Sequence, residues 1–83
     1  MAKHRITFTR HAETILAERD IDRDWVDRTV REPDEIEPDL ERGNFRAFRA
    51  IPERDGRVLR VVYSIGNDQI RVITAFFDRA RRR

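Results

Sequence analysis

With 83 residues, 41% of them charged and 39% hydrophobic, the chain has the size and composition of one small globular domain with a single core. The absence of cysteine excludes disulfides and thiolate metal sites, and no apolar run is long enough to span a membrane or to act as a signal peptide. We therefore expect a single domain over residues 1–83 and a cytoplasmic prokaryotic protein.

The net charge of +2 conceals an uneven distribution along the chain. Residues 1–41 carry 7 basic and 12 acidic side chains, whereas residues 42–83 carry 11 basic and 4 acidic ones. A basic second half would attract an anionic partner such as nucleic acid. The alternative is that the acidic and basic halves pair with each other inside the fold.

The first half of the chain predicts one strand and two helices. Residues 4–9 alternate apolar and polar side chains as a strand does, and Thr9 then caps a helix that ends near Asp20. Asp22 caps a second helix, which Pro33 stops. The buried side of this second helix is predicted to consist of Trp25, Val26, Thr29 and Val30.

The second half predicts a meander of strands separated by turns at Gly43, Asp55-Gly56 and Gly66-Asn67. The expected strands are 35–41, which Pro38 limits to a sheet edge, and then 44–51, 57–65 and 69–77. Residues 79–83 form a basic tail. Together these elements predict an α+β fold in the order β-α-α-β-β-β-β, with two helices packed on one face of a twisted, mainly antiparallel sheet.

Strand alternation places several arginines on the sheet face opposite the helices. This face is predicted to carry Arg46 and Phe48, then Arg60 and Ser64, then Arg71 beside Ile73 and Phe77. Arginine binds phosphate and aromatic rings stack on bases, so the pattern favours RNA binding, with Arg46, Arg60, Arg71 and Arg79 as the candidates. The alternative is a solvated sheet face with a few exposed apolar residues.

His11 is the candidate catalytic residue. It falls in the first turn of the first helix, where the helix dipole favours a neutral imidazole that is able to accept a proton. A structural role, in which the ring packs on a strand and donates one hydrogen bond, stays open. His4 is the only other histidine, and strand alternation separates the acidic residues of 32–41, so we expect no metal and no cofactor.

Several segments, taken in order, resemble a bacterial family of unknown function, DUF4258. Residues 8–12 (FTRHA), 18–21 (ERDI) and 30–34 (VREPD) resemble the family's first helix, its helix connection and the end of its second helix. Residues 56–62 and 72–75 look like its two central strands. Two positions depart from the family pattern, because Ile15 stands where the family has a basic residue and Asp20 where it has a glycine.

This family is similar to the RelE/ParE and BrnT toxins of type II toxin–antitoxin modules, which implies a toxin-like fold with an antitoxin as protein partner. The first hypothesis for its function is a toxin-like, metal-independent ribonuclease that acts on messenger RNA, in which Arg46, Arg60 and Arg71 hold the phosphate and His11 moves a proton. The alternatives are a non-catalytic module that binds nucleic acid or a protein such as gyrase, and a domain that has kept the fold alone. A homo-oligomer is also left open.

Overall fold

The computed structural model describes residues 4–82 and confirms the predicted α+β fold and the order of its elements. The elements are β1 (Arg5–Phe8), α1 (Arg10–Glu18), α2 (Arg23–Arg31), β2 (Glu35–Asp39), β3 (Asn44–Ile51), a short 3-10 helix η1 (Pro52–Arg54), β4 (Arg57–Gly66) and β5 (Gln69–Arg82). Within residues 4–82, neither helix is long and apolar enough to cross a membrane.

The strands form one mixed sheet in the order β1-β5-β4-β3-β2. The pairs β2-β3, β3-β4 and β4-β5 are antiparallel, whereas β1 runs parallel to β5. The last strand in the sequence therefore lies inside the sheet. Pro38 lies in the edge strand β2, as predicted.

Both predicted helix caps are present. The Thr9 hydroxyl accepts a hydrogen bond from the amide of Ala12 at 3.0 Å and donates one to the carbonyl of Ile73 at 3.2 Å. The Asp22 carboxylate accepts from the amide of Asp24 at 2.8 Å. These bonds satisfy amides that have no partner inside the helices and fix where α1 and α2 begin.

The main core lies between the helices and one face of the sheet, where α1 packs on β5 and α2 packs on β3 and β4. The helices contribute Ala12, Leu16, Val26 and Val30, and the sheet contributes Ala47, Ile51, Leu59, Val61, Tyr63, Ile70, Val72 and Ala75. The predicted buried side of α2 is confirmed for Val26, Thr29 and Val30, whereas Trp25 is half-buried.

A bulge in β5 reverses the alternation of its side chains. Val62 pairs with Thr74, but Tyr63 pairs with Val72, so that Ile73 is an extra residue. As a result Phe77 packs on the helix side of the sheet, with its ring centroid 6.3 Å from that of Trp25. The prediction that Phe77 faces away from the helices is therefore wrong.

The end of β5 also differs from the prediction. Val58 pairs with Asp78 and Arg57 pairs with Arg82, which leaves residues 79–81 as a second irregularity within the strand. Residues 79–82 are thus part of β5 and not a separate tail, and Arg83 lies outside the described residues.

The turn between β4 and β5 is one position later than predicted. Asn67 and Asp68 have the left-handed φ values of 52° and 58°, and Gly66 ends β4.

Candidate nucleic-acid interface

The sheet face away from the helices, the far face, carries Arg46, Phe48, Val58, Arg60 and Phe76. Arg71 also lies on this face, and the other two predicted RNA-binding arginines there are engaged by carboxylates. Arg46 lies 3.4 Å from a Glu37 oxygen and 3.5 Å from an Asp39 oxygen, and Arg60 lies 3.5 Å from an Asp78 oxygen. A phosphate would have to compete with a neighbouring carboxylate for each guanidinium, and this weakens the case for both arginines as RNA-binding residues.

The far face is a second apolar layer covered by arginine side chains. Phe48 is 2% exposed and Val58 is 4% exposed. The guanidinium of Arg81 lies 3.7 Å from the centroid of the Phe48 ring, and that of Arg60 lies 5.7 Å from it and 5.2 Å from the centroid of Phe76. These are cation–π distances, so the rings already have partners and do not form a free stacking platform for bases.

Arg81 fastens the end of β5 to β2 across this far face. Its guanidinium forms ion pairs with Glu35, at 2.9 Å, and with Glu37. The hydrogen bond from Arg81 lowers the pKa of the Glu37 carboxyl, with further contributions from the charge of Arg81 and from Arg46. The same hydrogen bond raises the pKa of Arg81. This group therefore stays ion-paired and supports the fold at neutral pH.

Arg71 and His11 are both exposed, and neither side chain makes a hydrogen bond or ion pair within residues 4–82. Arg71 lies before the bulge of β5, opposite Ser64. His11 lies in the first turn of α1, on the helix side of the sheet. No hydrogen bond or ion pair in the described part of the chain brings His11 to any of the four predicted arginines, and its predicted structural hydrogen bond is not present there either.

Four arginines that are free of carboxylate partners meet at one end of the sheet. There the end of α1, η1, the start of β4 and the end of β5 surround a cleft of about 490 Å³. We call it the arginine cleft, and its lining consists of Glu18, Arg19, Arg54, Arg57, Phe77 and Arg79. None of these four arginines forms an ion pair within residues 4–82. Of the predicted RNA-binding residues, only Arg79 belongs to it.

Aromatic rings hold two of the cleft arginines in place. The guanidiniums of Arg54 and Arg57 lie 5.3 Å and 4.9 Å from the centroid of the Phe77 ring. Arg54 also lies 5.5 Å from the Trp25 ring and donates a hydrogen bond to the carbonyl of Asp20 at 3.2 Å. Stacking on a ring uses the flat face of a guanidinium and leaves N–H groups at its edge for an anion. The cleft is thus a preformed set of cationic donors.

A family model described as a domain of unknown function (DUF4258) matches residues 8–77, which is most of the chain. The chain belongs to the DUF4258 family. No significant match was found among curated proteins or among solved structures. All the residues of the arginine cleft except Arg79 lie within the matched part of this DUF4258 domain.

The position of Arg54 depends on an ion pair between η1 and α2 of the DUF4258 domain. Two nitrogens of Arg28 donate to the two carboxylate oxygens of Glu53, each at 3.0 Å. This hydrogen bonding, followed by that from the backbone amide of Glu53, lowers the pKa of the Glu53 carboxyl to about 2. A bidentate pair of this kind fixes orientation as well as distance, so η1 presents Arg54 to the cleft in one arrangement.

Sequence reasoning missed Arg19, Arg54 and Arg57 because they lie at two turns that are far apart in the sequence. A signal was nevertheless present, since each lies beside a residue that reverses the chain direction. Arg19 precedes Asp20, with a φ of 55°, and Arg54 and Arg57 flank the left-handed pair at residues 55–56, with φ values of 56° and 76°. Arginines on either side of predicted turns were the available indication that an end of the sheet would be basic.

Proposed function

We propose that this DUF4258 domain is a nucleic-acid-binding module that holds RNA through the arginine cleft. The observation that supports the proposal is the convergence of four arginines without ion pairs on one concave surface. On the far face, by contrast, Arg46, Arg60 and Arg81 are matched by carboxylates. Arg71 lies on that face without an ion pair within residues 4–82, and its register partners on the two neighbouring strands are hydroxyl residues rather than arginines. An RNA backbone is the anionic polymer that such a cleft fits, because guanidinium groups bind phosphate oxygens in a bidentate manner.

Salt-dependent binding tests this proposal. We expect single-stranded RNA of about ten nucleotides, with 2′-O-methyl groups to prevent cleavage, to bind with an affinity that falls steeply with salt concentration. Arg57→Ala and Arg79→Ala should each reduce the slope of log affinity against log salt by about one, as expected for one lost phosphate contact. Fluorescence anisotropy over a salt series measures this slope.

Arg42→Ala is the matched control. Arg42 is an exposed arginine in the turn between β2 and β3, at the opposite end of the sheet, and its side chain forms no ion pair within residues 4–82. Removing it changes the net charge by the same amount as removing Arg57 does, but it should leave the slope unchanged. Equal effects of Arg42→Ala and Arg57→Ala would show that RNA responds only to net charge and would contradict a role for the cleft.

A metal-independent ribonuclease is the second candidate, and one feature of the cleft favours it. Glu18 is the one carboxylate in the lining, and it forms no ion pair within residues 4–82. In this mechanism Glu18 accepts the proton of the RNA 2′-hydroxyl, and that oxygen then attacks the phosphorus. The 5′-oxygen leaves with a proton taken from water, while the arginines stabilise the negative charge on the phosphate. The product is a 2′,3′-cyclic phosphate.

Cleavage in the presence of excess chelator tests the ribonuclease candidate. Glu18→Gln should slow the formation of cyclic-phosphate ends by about a hundredfold or more, because the amide does not accept the proton, and should keep the affinity for 2′-O-methyl RNA. His11→Ala should leave the rate unchanged, because His11 does not line the cleft. A slower rate for His11→Ala together with an unchanged rate for Glu18→Gln would identify His11 as the base. If the parent protein leaves RNA intact, the ribonuclease candidate is wrong and only the binding function stands.

Membership of a type II toxin–antitoxin module is a further proposal, and it follows from the expected similarity of the DUF4258 family to the RelE/ParE and BrnT toxins. Such a toxin would arrest growth when expressed, and co-expression of the protein encoded by the adjacent reading frame would restore growth. If Arg57→Ala relieved the arrest without lowering the amount of protein, the cleft would be the toxic site. Growth unaffected by expression of the parent would contradict the toxin proposal.

A further inference from the structure

The arginine cleft has a smaller neighbour that shares two of its arginines. This side hollow has a volume of about 260 Å³ and is lined by Arg57, Asp78, Arg79 and Arg81. Arg57 and Arg79 therefore line both concave surfaces, and we call this shared pair the ridge. Both side chains are exposed and free of ion pairs within residues 4–82.

The unpaired positive charge of the side hollow also comes from the two arginines of this ridge. Arg81 is ion-paired with Glu35 and Glu37. The Asp78 carboxylate is 12% exposed and lies 3.5 Å from Arg60 and 3.9 Å from Arg81, so it is already neutralised. Arg57 and Arg79 remain as the two unpaired cations. A guanidinium carries five N–H donors in one plane, so each can donate to one anion in the cleft and to another in the hollow.

We propose that the ligand is a single RNA strand that crosses this ridge and places two consecutive phosphates on its two sides, one in the arginine cleft and one in the side hollow. The inference rests on the proposed RNA binding and adds the class of nucleic acid and its footprint. Two hollows with a shared wall match phosphates that follow each other along one strand. A groove that tracks a backbone in this way is typical of single-strand binding.

The shape of the site argues against a duplex. The larger hollow, at about 490 Å³, has the size of a small-ligand site, and a double helix is too wide for its phosphates to enter either hollow. The Phe77 ring is covered by Arg54 and Arg57, so it does not offer a free face to a base. Recognition therefore runs through the backbone and is largely independent of sequence.

Short 2′-O-methyl oligonucleotides with hydroxyl ends test the footprint directly. We expect ApApA, with two phosphates, to bind at least about tenfold more tightly than ApA, with one, which corresponds to one additional charge-assisted contact. A fourth nucleotide should add much less, UpUpU should bind within about threefold of ApApA, and a ten-base-pair RNA duplex should bind more weakly than a ten-nucleotide strand. Titrations followed by NMR or calorimetry measure these affinities.

Two substitutions separate this inference from the proposed function. Arg57→Ala should remove the difference in affinity between ApA and ApApA. Arg19→Ala, which changes only the arginine cleft, should weaken the binding of both ligands and keep the difference between them. Circular dichroism confirms that each variant is folded. If a ten-nucleotide strand binds through the cleft but ApA and ApApA bind equally, or if the duplex binds as tightly, the two-phosphate inference is wrong. If the strand does not bind at all, the proposed function itself fails.

Discussion

Replacing Phe48 with alanine should destabilise the domain as much as a substitution in the main core, although Phe48 lies on the far face of the sheet. Its side chain is 2% exposed, and the guanidiniums of Arg81 and Arg60 lie 3.7 Å and 5.7 Å from the ring centroid. The substitution removes both the buried ring and the surface on which these two arginines rest. Arg81 would then keep its ion pairs with β2 but lose the support beneath them.

The expected loss is large compared with the total stability. Replacing a buried phenylalanine by alanine costs about 3–5 kcal/mol. A domain of 83 residues has a free energy of unfolding of about 4–12 kcal/mol. Since about 1 kcal/mol shifts the midpoint of a domain of this size by about 4–8 °C, we expect the Tm to fall by at least about 12 °C.

Urea and thermal denaturation followed by circular dichroism measure this loss. Leu40→Ala is the matched control, because Leu40 is also a large apolar residue but is 90% exposed, and it should change stability by no more than about 0.5 kcal/mol. A loss of less than about 1 kcal/mol for Phe48→Ala would show that the far face is a solvated surface and would refute the second apolar layer.

Three further predictions concern the scaffold. Val30→Asp should unfold the domain, because a carboxylate at a position 7% exposed costs several kcal/mol, and an unchanged thermal midpoint would contradict the packing of α2 on the sheet. Thr9→Ala should lower the free energy of unfolding by about 1–2 kcal/mol, because the helix cap and the hydrogen bond to Ile73 are lost. Thr9→Ser should restore most of this loss. Equal stability of all three proteins would contradict the capping role. The Glu53 carboxyl should titrate in NMR spectra with a pKa of about 2, so that the contribution of its pair with Arg28 is complete above the ordinary value of 4.5 and is lost as the pH falls towards 2. Arg28→Ala should return this titration towards 4.5, and no change would assign the shift to another cause.

Local signals in the sequence were sufficient to predict the elements of the fold. Thr9 and Asp22 are short polar side chains that cap helices, Pro33 stops α2, and Pro38 is tolerated because β2 is an edge strand. Alternation along β3 and β4 also accounts for the position of Phe45, Ala47, Ile51, Leu59, Val61 and Tyr63 on the helix side of the sheet. These features depend on neighbours in the sequence, which is why they could be predicted without the structure.

The remaining features depend on contacts between distant segments. No residue type marks Ile73 as the extra residue of a bulge. The prediction therefore assigned the side chains after Ile73 to the wrong faces of the sheet, and Phe77 is one of them. The carboxylates that engage Arg46 and Arg60 come from other strands, so alternation identified the face of these arginines but not their ion pairs. The candidate site in the structure therefore lies at one end of the sheet and not on the face that alternation predicted.

The position of β5 also has a consequence for protein synthesis. This strand lies between β4 and β1 and supplies Ile70, Val72 and Ala75 to the core. Until residues 69–82 have left the ribosome, β1 has no strand to join and the helices lack part of the surface on which they pack. The bond from Thr9 to Ile73 closes a separation of 64 residues, and such long-range pairing slows folding. A ribosome that pauses before β5 therefore carries a chain whose apolar strands are exposed to aggregation, and the domain folds only after this strand has been made.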